Sequence, residues 1–483
     1  MKPLIDVLPS SRSQAALPDV AVGGLSLDSR RIAPGDAFVA LAGRRGHGMA
    51  HAAEALAAGA RVVIHDGRAE VPADLATRAV EVPGLAQRLH ELAARCWDDP
   101  AASLDLVAVT GTNGKSSVAW LLSQALEGAM IGTLGVGAPG ALAPSTLTTP
   151  DVLGLHRALA GLRDAGYRHV VLEASSHALD QRRLAGLRLT SAVFTNLGRD
   201  HLDYHGSMDA YGAAKARLFR DYASRRQLIN VDDAFGQQLA AELRGSPGLL
   251  RYGLETAHRP DVLGAVRSAT LNGLQLDVNT PEGRVCCRTG LIGRINAANV
   301  LIVVAELVAR GCNLGDVADV VRALAPVPGR MNRIEGPNGQ RVVIDYAHSP
   351  DALGSALVAL REATRERLIC VFGCGGDRDR GKRAEMGRIA EALADELVLT
   401  NDNPRHEDPI SILRDIQSGM ARPERAAVVP DRGDAIARAV GAAGPGDCVL
   451  VAGKGHETQQ DFGSRRERFS DFEAVSRALT EAA

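Results

Sequence analysis

The feature that most constrains the fold is an apolar run that ends in a polar or glycine-rich loop and recurs along the chain. Helical patterns separate these runs, and the alternation predicts parallel α/β sheets with helices on both faces. Because ligands gather at the carboxyl ends of strands in such sheets, the informative residues should follow the runs. The runs are LDLVAVT, HVVLEASS, SAVFTN and RQLINVDD, and later QRVVIDYAHSP, RLICVFGCGG, DELVLTND and DCVLVAGKG.

The chain of 483 residues is too long for a single hydrophobic core. Two segments that break helices, CWDDPAAS and APVPGR, separate its parts. We therefore predict three domains, at residues 1–97, 98–326 and 327–483. The first contains a strand-like run, VVIH, and an alanine-rich helix candidate, AHAAEALAAG.

Composition excludes several classes of protein. Hydrophobic residues make up 46% of the chain, charged residues 23%, and the net charge is −2. These values give no electrostatic reason to expect a nucleic-acid or membrane-surface partner. The seven cysteines do not resemble a disulfide framework, and no apolar segment approaches eighteen residues. The first residues, MKPLIDVLPS, lack the apolar core of a signal peptide, and we expect a cytoplasmic protein.

The most specific motif is LVAVTGTNGKSSVAWLL at residues 106–122, where an apolar strand leads through GTNGKSS into a helical pattern. Gly111 and Gly114 would let backbone N–H groups approach phosphate oxygens, Lys115 would supply a charge, and Ser116 could bind Mg²⁺. The motif departs from the full phosphate-loop pattern because Val109 stands at the first glycine position. The alternative is an ordinary glycine turn between a strand and a helix.

Acidic and histidine side chains follow the next two runs. Glu173 ends one run, where its carboxylate could bind the Mg²⁺ that Ser116 binds from the other side. The other run leads into TNLGRDHLDYHGS, in which His201 and His205 have a spacing that could bind Zn²⁺ on a helix. The alternative is a second Mg²⁺ at the phosphate site. Lys215 lies in the helical pattern YGAAKARLF and by itself indicates nothing.

Taken together, the motifs closely resemble those of the Mur ligases of bacterial peptidoglycan synthesis, over essentially the whole chain. The motifs, in one order, are TGTNGKSS, EASSH, TNLGRDHLDYHGS with YGAAKARLF, LIGRINAANV, PGRMNRIE, IDYAHSPDAL and GCGGDRDRGKR. The resemblance implies an α/β fold of three domains. These are an N-terminal domain that binds the uridine nucleotide, a central P-loop ATPase domain with a mostly parallel sheet, and a C-terminal Rossmann-like domain that binds the amino acid.

The sequence DNPR at residues 402–405 resembles the family members that add meso-diaminopimelate. The resemblance implies ATP-dependent amide formation between the D-Glu carboxylate of UDP-MurNAc-L-Ala-D-Glu and meso-diaminopimelate, through an acyl phosphate. It also implies Mg²⁺ as cofactor and a lysine modified by CO₂ to a carbamate. We expect small-molecule substrates only, and a monomer. A lysine-adding relative remains an alternative, although such relatives lack the DNPR arrangement.

The resemblance also implies roles for individual residues near ATP. Lys115, Glu173, His201 and Lys215 would be catalytic; Ser116, Glu173, His201 and Lys215, as N6-carboxylysine, would bind the metal. The residues expected to contact ATP are Gly111, Thr112, Asn113, Gly114, Lys115, Ser116, Ser117, Asn299, Arg330 and Asp345.

Two further groups would bind the other substrates. Those expected on the uridine-nucleotide side are Leu27, Ser29, Arg44, Arg45, Gly46, Thr148, Thr149, Ser175, Gln181 and Arg183, although Leu147 replaces the Asn often found before the paired Thr. Those expected to contact diaminopimelate are Arg378, Asp402, Asn403, Pro404, Arg405, Gly453 and Glu457.

Arg405 would select diaminopimelate over lysine. Diaminopimelate differs from lysine by a second amino-acid head, and a bidentate guanidinium suits the extra carboxylate. Glu457 would pair with an ammonium group.

Three other functions compete with this interpretation. Folylpolyglutamate synthetase shares the phosphate loop but should lack the uridine domain and DNPR. The glycine-rich GCGG at residues 373–376 weakly resembles the loop of an NAD-dependent dehydrogenase. A nucleotide-binding scaffold without turnover is the third, which the intact set of Lys115, Glu173, His201 and Lys215 disfavours.

Overall fold

The structure, a computed structural model, describes residues 1–9, 17–43 and 46–482. The chain folds into two compact units, Met1–Asp261 and Val262–Ala483. Both contain parallel sheets with helices in the connections, as the recurring apolar runs predict. None of the described helices is long and apolar enough to cross a membrane.

The strands of the first unit are β1 (Lys2–Pro3), β2 (Ala21–Val22), β3 (Leu25–Ser26), β4 (Ala37–Ala40), β5 (Val62–His65), β6 (Ala79–Glu81), β7 (Asp105–Thr110), β8 (Ala129–Gly132), β9 (Gly135–Ala138), β10 (Ala141–Ala143), β11 (His169–Glu173), β12 (Leu189–Phe194), β13 (Ser224–Asn230) and β14 (Leu249–Gly253). Its α-helices are α1 (Leu4–Val7), α2 (Ala52–Ala57), α3 (Leu89–Cys96), α4 (Pro100–Ser103), α5 (Lys115–Ala125), α6 (Val152–Asp164), α7 (Ser176–Asp180), α8 (Leu202–His205), α9 (Met208–Arg220) and α10 (Ala234–Glu242).

The larger sheet of this unit places the chemistry. Strands β8, β11, β7, β12, β13 and β14 lie side by side and parallel, and β9 and β10 extend the edge antiparallel. Strand β7 lies between β11 and β12, so the loops after these three strands leave the same edge together. After β7 the chain forms β8 and β11 on one side of this strand and then β12 on the other. Open α/β sheets bind ligands at the point where the strand order reverses in this way.

A smaller parallel sheet in the order β3-β4-β5-β6 forms near the N-terminus, and VVIH forms its strand β5 as predicted. The predicted alanine-rich helix forms α2. Side chains of β4 and β5 pack with Leu92, Val152 and Leu153 in one hydrophobic cluster. Helix α6 therefore shares a core with the N-terminal sheet.

The second unit contains the strands β15 (Val262–Thr270), β16 (Gly273–Thr280), β17 (Gly283–Thr289), β18 (Asn332–Glu335), β19 (Arg341–Asp345), β20 (Leu368–Phe372), β21 (Glu396–Leu399), β22 (Ala426–Val428), β23 (Cys448–Ala452), β24 (Gln459–Asp461) and β25 (Arg466–Arg468). Its α-helices are α11 (Ile295–Ala309), α12 (Leu314–Ala323), α13 (Pro350–Ala363), α14 (Gly381–Leu393), α15 (Pro409–Gln417), α16 (Arg432–Ala442) and α17 (Asp471–Glu481).

In this unit, β15, β16 and β17 form an antiparallel meander. The main sheet has the order β18-β19-β23-β20-β21-β22 and is parallel except for β18. Successive residues of its strands enter opposite cores: Cys370 and Phe372 pack on one face, Ile369 and Val371 on the other. Burial of both faces explains why these strands read as nearly continuous apolar runs.

Candidate active site

The phosphate loop follows β7 and ends at the first turn of α5. A Cβ at Gly111, whose φ is +150°, would overlap Thr195 Oγ1, and Gly114 adopts φ +85°, so both positions require glycine. Thr195 donates a hydrogen bond to the Asn113 carbonyl at 2.7 Å. The loop after β12 therefore supports the phosphate loop, and the predicted strand, glycine loop and helix are confirmed.

The Lys115 ammonium lies over the loop that it was predicted to serve. Its Nζ donates to the carbonyl oxygens of Gly111 and Thr112, both at 2.9 Å. The surrounding protein lowers the pKa of Lys115, and the nearby Glu173 carboxylate only partly opposes this effect. In this arrangement the side chain is already at the loop and needs only to exchange carbonyl partners for phosphate oxygens.

Glu173 and Ser116 meet, as the sequence predicted for a shared metal. Ser116 Oγ donates to Glu173 Oε2 at 2.9 Å, and the Thr133 backbone N–H donates to Oε1 at 2.8 Å. Glu173 is 1% exposed, and its burial raises the pKa of the carboxyl despite the nearby Lys115. The absence of a side chain at Gly132 makes room for the carboxylate itself, because a Cβ there would overlap Oε1. A buried carboxylate beside a hydroxyl is an oxygen donor set that fits Mg²⁺.

Lys215 is buried at the same loop. Its side chain is 1% exposed, and Nζ donates to the Gly111 carbonyl at 2.6 Å. Burial, and then repulsion from Lys115, lower the pKa of Lys215 to about 6. The amine is therefore mostly neutral at pH 7, which the sequence pattern of α9 did not reveal.

Tyr211 is a site residue that sequence reasoning missed. It lies one helical turn before Lys215, whose Nζ is 4.4 Å from the centroid of its ring. Its hydroxyl lies 3.2 Å from Thr112 Oγ1, and the His201 ring packs against it with centroids 6.0 Å apart. The spacing of four residues places Tyr211 and Lys215 on one helix face, and this signal could have identified it.

His201 does not lie within a helix, contrary to the zinc alternative. It adopts a left-handed conformation with φ +51° immediately before α8, and its half-exposed ring lies 3.4 Å from Asp200. His205 Nε2 lies 3.1 Å from Ser176 Oγ.

Within the described ranges, the cluster of three Asp, Glu or His side chains close enough to share an ion is Asp232, Glu255 and His258. This cluster includes neither His201 nor His205. The zinc alternative therefore gains no third ligand.

Residues predicted to bind the peptide part of the uridine nucleotide form a connected group beside Glu173. Thr149 Oγ1 donates to the Glu173 carbonyl at 2.6 Å and lies 3.2 Å from Ser175 Oγ. Arg183 donates to the Thr149 carbonyl at 2.6 Å and to Gln181 Oε1 at 2.8 and 3.0 Å. The network brings together four of the residues predicted for this substrate.

Other predicted residues on the uridine-nucleotide side are more dispersed. Thr148 Oγ1 lies 2.9 Å from Thr133 Oγ1, next to Glu173. Ser29 Oγ donates to Glu54 at 3.0 Å, Leu27 packs against the N-terminal core, and the Gly46 carbonyl accepts from Gly43 at 2.7 Å. The remaining two, Arg44 and Arg45, lie outside the described residues.

In the second unit, the loops after β20, β21 and β23 come together because these strands are neighbours in the sheet. Arg405 adopts φ +53°, and its Nη1 donates to the Gly376 carbonyl at 2.7 Å. The Gly376 N–H donates to the Asn403 carbonyl at 2.9 Å, and a Cβ at Gly376 would overlap the Pro404 carbonyl. The glycines of GCGG thus permit close approach of the DNPR loop. Exposed Arg378 has its Cγ near the same Gly375 that Arg405 approaches.

Asp402 and Gly453 lie next to each other among the predicted diaminopimelate residues, and Asp402 is buried. Asp402 is 8% exposed, and burial raises the pKa of its carboxyl although Arg432 and Lys454 lie nearby. Gly453 has φ +115°, and a Cβ there would crowd Asp402 Oδ2.

Asn403 Nδ2 donates to Glu457 Oε2 at 2.9 Å, and Lys454 donates to the same oxygen at 2.8 Å. The structure therefore brings together six of the residues predicted for diaminopimelate, Asp402, Asn403, Pro404, Arg405, Gly453 and Glu457, with Arg378 beside them.

Sequence reasoning also missed the ion pairs that join these loops. The buried Arg383 donates to Glu407 at 2.8 and 3.0 Å, to Asp415 at 2.9 Å and to the Gly375 carbonyl at 3.2 Å. Glu407 also accepts from the Asp377 N–H at 2.6 Å. Arg383 ends the motif GCGGDRDRGKR, and Glu407 lies two residues after DNPR, but only the fold shows that they pair.

The remaining predicted ATP contacts lie in the second unit. Asp345 accepts hydrogen bonds from the Met331 and Ala347 N–H groups, both at 2.8 Å, and burial raises the pKa of its carboxyl despite the nearby Arg330. The Arg330 guanidinium lies 4.8 Å from the centroid of the Tyr346 ring. Asn299 is buried in α11 and donates to Asn296 Oδ1 at 3.0 Å.

Family models match most of the chain. Residues 21–97 match the Mur ligase family catalytic domain, residues 109–307 the Mur ligase middle domain, and residues 329–455 the Mur ligase glutamate ligase domain. The chain belongs to the Mur ligase family. The resemblance inferred from the motifs is thereby confirmed.

Curated relatives of this Mur ligase cover nearly its full length. Two of them, from Alkalilimnicola ehrlichii and Ectopseudomonas mendocina, bear the name UDP-N-acetylmuramoyl-L-alanyl-D-glutamate–2,6-diaminopimelate ligase. The first is 47% identical over 96% of this chain and 96% of the relative. The second is 45% identical over 99% of this chain and 98% of the relative.

A solved structure described by the same name superposes with a TM-score of 0.74 at 35% identity, covering 100% of this chain and 99% of that chain. The predicted three-domain α/β fold is confirmed by this similarity together with the three matched domain models. The boundaries after residues 97 and 326 remain predictions.

Proposed function

We propose that this Mur ligase joins meso-2,6-diaminopimelate to UDP-MurNAc-L-Ala-D-Glu in an ATP-dependent reaction that forms an amide bond. Relatives that bear the corresponding name are 45–47% identical over at least 95% of the chain. The observation that carries the ATP chemistry is the convergence of Lys115, Ser116, Glu173 and Lys215 on one phosphate loop.

The first step activates a carboxylate. A carboxylate is a poor electrophile, because attack by an amine would have to expel oxide. Transfer of the γ-phosphoryl group of ATP to the D-Glu carboxylate gives an acyl phosphate, which has a good leaving group. The protein contributes positioning and charge neutralisation, with the backbone N–H groups of residues 111–117 and the Lys115 ammonium around the phosphates.

Ser116 and Glu173 would hold Mg²⁺, and His201 is the proposed ligand of a second ion. Bound Mg²⁺ neutralises charge on the phosphate oxygens. Glu173 suits this role because its buried carboxyl accepts a single N–H and hydroxyl hydrogen bonds.

Lys215 is proposed to become a carbamate. Its neutral amine can attack CO₂: the nitrogen lone pair forms the N–C bond, one C=O bond pair moves to oxygen, and the nitrogen loses a proton to water. The pKa of about 6 supports this step, because an ordinary lysine is almost wholly protonated at pH 7. The product replaces a neutral amine with an anionic oxygen donor beside Gly111.

The second step is attack of the diaminopimelate amine on the acyl phosphate. A tetrahedral intermediate forms and loses phosphate, which leaves the amide. Arg405 and Arg378 are proposed to bind the carboxylate of the distal amino-acid head, and Glu457 is proposed to receive its ammonium group, with Asp402 and Asn403 beside them in the pocket. In the structure, Arg405 donates to the Gly376 carbonyl, so ligand binding requires it to exchange this partner.

Phosphate release tests the proposal. The assay combines the protein with ATP, Mg²⁺ and UDP-MurNAc-L-Ala-D-Glu and compares meso-diaminopimelate with L-lysine. We expect release with diaminopimelate only. Release with lysine would retain the ligase but refute the assignment of Arg405, and release with neither would refute the proposed substrates and make a folate-type substrate the next to test.

A further inference from the structure

Lys454 is a fully buried lysine with no role in the function proposed so far. Its side chain is 0% exposed, and Nζ donates to Asn403 Oδ1 at 3.1 Å, to Glu457 Oε2 at 2.8 Å and to the Gln459 carbonyl at 2.7 Å. An ammonium group has three N–H donors, and here each has an acceptor. Two of the three acceptors belong to residues proposed to bind the amino acid.

The choice of lysine at this position is informative because the chain rarely uses it. Lys2, Lys115, Lys215, Lys382 and Lys454 are its only lysines, against a combined Lys and Arg count of 55. A guanidinium is planar and larger and has five donors, so it would not match three acceptors around one buried point. The site therefore requires a compact cation.

Lys454 determines how the Asn403 amide is oriented. The Asn403 Oδ1 accepts from Lys454 Nζ at 3.1 Å and from the Asp461 N–H at 2.9 Å, so both donors need the oxygen on that side. The Nδ2 group is consequently directed to Glu457 Oε2, 2.9 Å away. Without the ammonium, one of the two constraints on the amide orientation is lost.

The same lysine determines which oxygen of Glu457 is available. Lys454 and Asn403 both donate to Oε2, whereas no hydrogen bond to Oε1 occurs from the described residues. Burial alone would raise the pKa of Glu457, but the hydrogen bonds from Lys454 and Asn403 outweigh it and lower the pKa. The carboxylate is thus ionised, held through one oxygen and one-third exposed.

We propose that Lys454 is a positioning residue of the amino-acid site, which holds Glu457 Oε2 and the Asn403 amide so that Glu457 Oε1 receives the ammonium group of the incoming amino acid. The inference rests on the proposed function. Lys454 itself repels that ammonium, so its contribution comes through the position and ionised state of Glu457 and not through direct attraction of the ligand.

Loss of positioning and loss of repulsion should change the KM for diaminopimelate in opposite directions, so the direction of the change tells them apart. In Lys454→Met, loss of positioning should raise KM for meso-diaminopimelate about 10- to 100-fold, whereas loss of repulsion alone should lower it. The KM for ATP should stay within about twofold. Lys454→Gln keeps an N–H donor on a shorter side chain and should restore part of the loss. Lys2→Met is the control: it makes the same side-chain change at a lysine that pairs with Asp98 instead. It should leave the KM for diaminopimelate and the KM for ATP unchanged.

The outcomes separate the inference from the function on which it rests. Turnover of diaminopimelate by the wild type, with an unchanged or lower KM in Lys454→Met, would overturn the positioning role alone. A lower unfolding temperature with an unchanged KM would show a merely structural lysine and would also overturn it. If Lys454→Met does not fold, the KM of Lys454→Gln decides in the same way. Failure of the wild type to use diaminopimelate would overturn the proposed function and this inference together.

Discussion

Replacing Glu407 with Gln should loosen the two loops that frame the proposed amino-acid pocket. Glu407 lies in the loop after β21, and Arg383 and Asp377 follow β20, so the carboxylate joins one loop to the other. The hydrogen bonds from Arg383 lower the pKa of Glu407 from an ordinary value of 4.5 to about 2. The folded protein therefore stabilises the charged form of this side chain.

The size of the effect follows from that pKa. The difference between 4.5 and about 2 corresponds to about 3 kcal/mol, at roughly 1.4 kcal/mol for each tenfold change in affinity for the proton. The third partner, Arg380, is 71% exposed, and solvent screens its share. We therefore expect Glu407→Gln to lower the free energy of local opening by about 1–3 kcal/mol at pH 7.

The pH dependence has a defined sign. The pKa of Glu407 is lower in the folded protein than in the unfolded chain, so its contribution is complete above pH 4.5. It is lost as the pH falls from about 4.5 towards 2, because the unfolded chain binds the proton first. Gln does not titrate, so the difference between wild type and variant should shrink over this range.

Amide hydrogen exchange of the full-length protein measures this local stability. Peptides that cover residues 373–379 and 401–408 should exchange about 5- to 150-fold faster in Glu407→Gln at pH 7, the range that corresponds to about 1–3 kcal/mol. Glu385→Gln is the matched control, because Glu385 is exposed on α14 and should change exchange little. Equal exchange in Glu407→Gln and wild type would refute the argument that this carboxylate joins the loops.

Three further changes test other parts of the structure. Lys215→Met should abolish phosphate release, and ¹³CO₂ should give a carbamate carbon signal in the wild type only; full activity of the variant would contradict the carbamate. Arg405→Ala should reduce kcat/KM for diaminopimelate by about 2–4 kcal/mol of transition-state binding, with ATP kinetics as the control; an unchanged kcat/KM would contradict its selecting role. Asp471→Asn should destabilise the protein by about 3–5 kcal/mol, since Arg432 and Asp471 are both 0% exposed and joined by hydrogen bonds of 2.7 and 2.8 Å. The double variant Arg432→Met with Asp471→Leu should recover much of that loss in a thermal unfolding assay, and no recovery would contradict the cost of an unpaired buried charge.

Much of the fold could be predicted because a strand that is buried on both faces appears in the sequence as an apolar run. Both faces of β20 and β23 are covered, so nearly every residue in them is apolar and the strands stand out. The phosphate loop could be predicted because Gly111 and Gly114 adopt backbone conformations that glycine favours. The α9 pattern could not show that Lys215 is buried, because helical periodicity identifies a face but not what covers it.

The sequence could predict some residues of the candidate site but not others. Residues that share a motif with an evident chemical purpose, such as Ser116 or Arg405, could be predicted from the sequence. Arg383, Glu407 and Lys454 could not, because each acts through partners that lie far away in the sequence or on another element.

By itself, the sequence determined the family, the α/β class and the set of polar side chains that follow the strands. These properties are local, because a few adjacent residues determine strand periodicity, glycine conformation and side-chain chemistry. Only the tertiary structure decided the protonation of Lys215, the available oxygen of Glu457 and the pairing of Arg383 with Glu407. These properties depend on burial and on the distance between charges, which arise when strands distant in sequence become neighbours in a sheet.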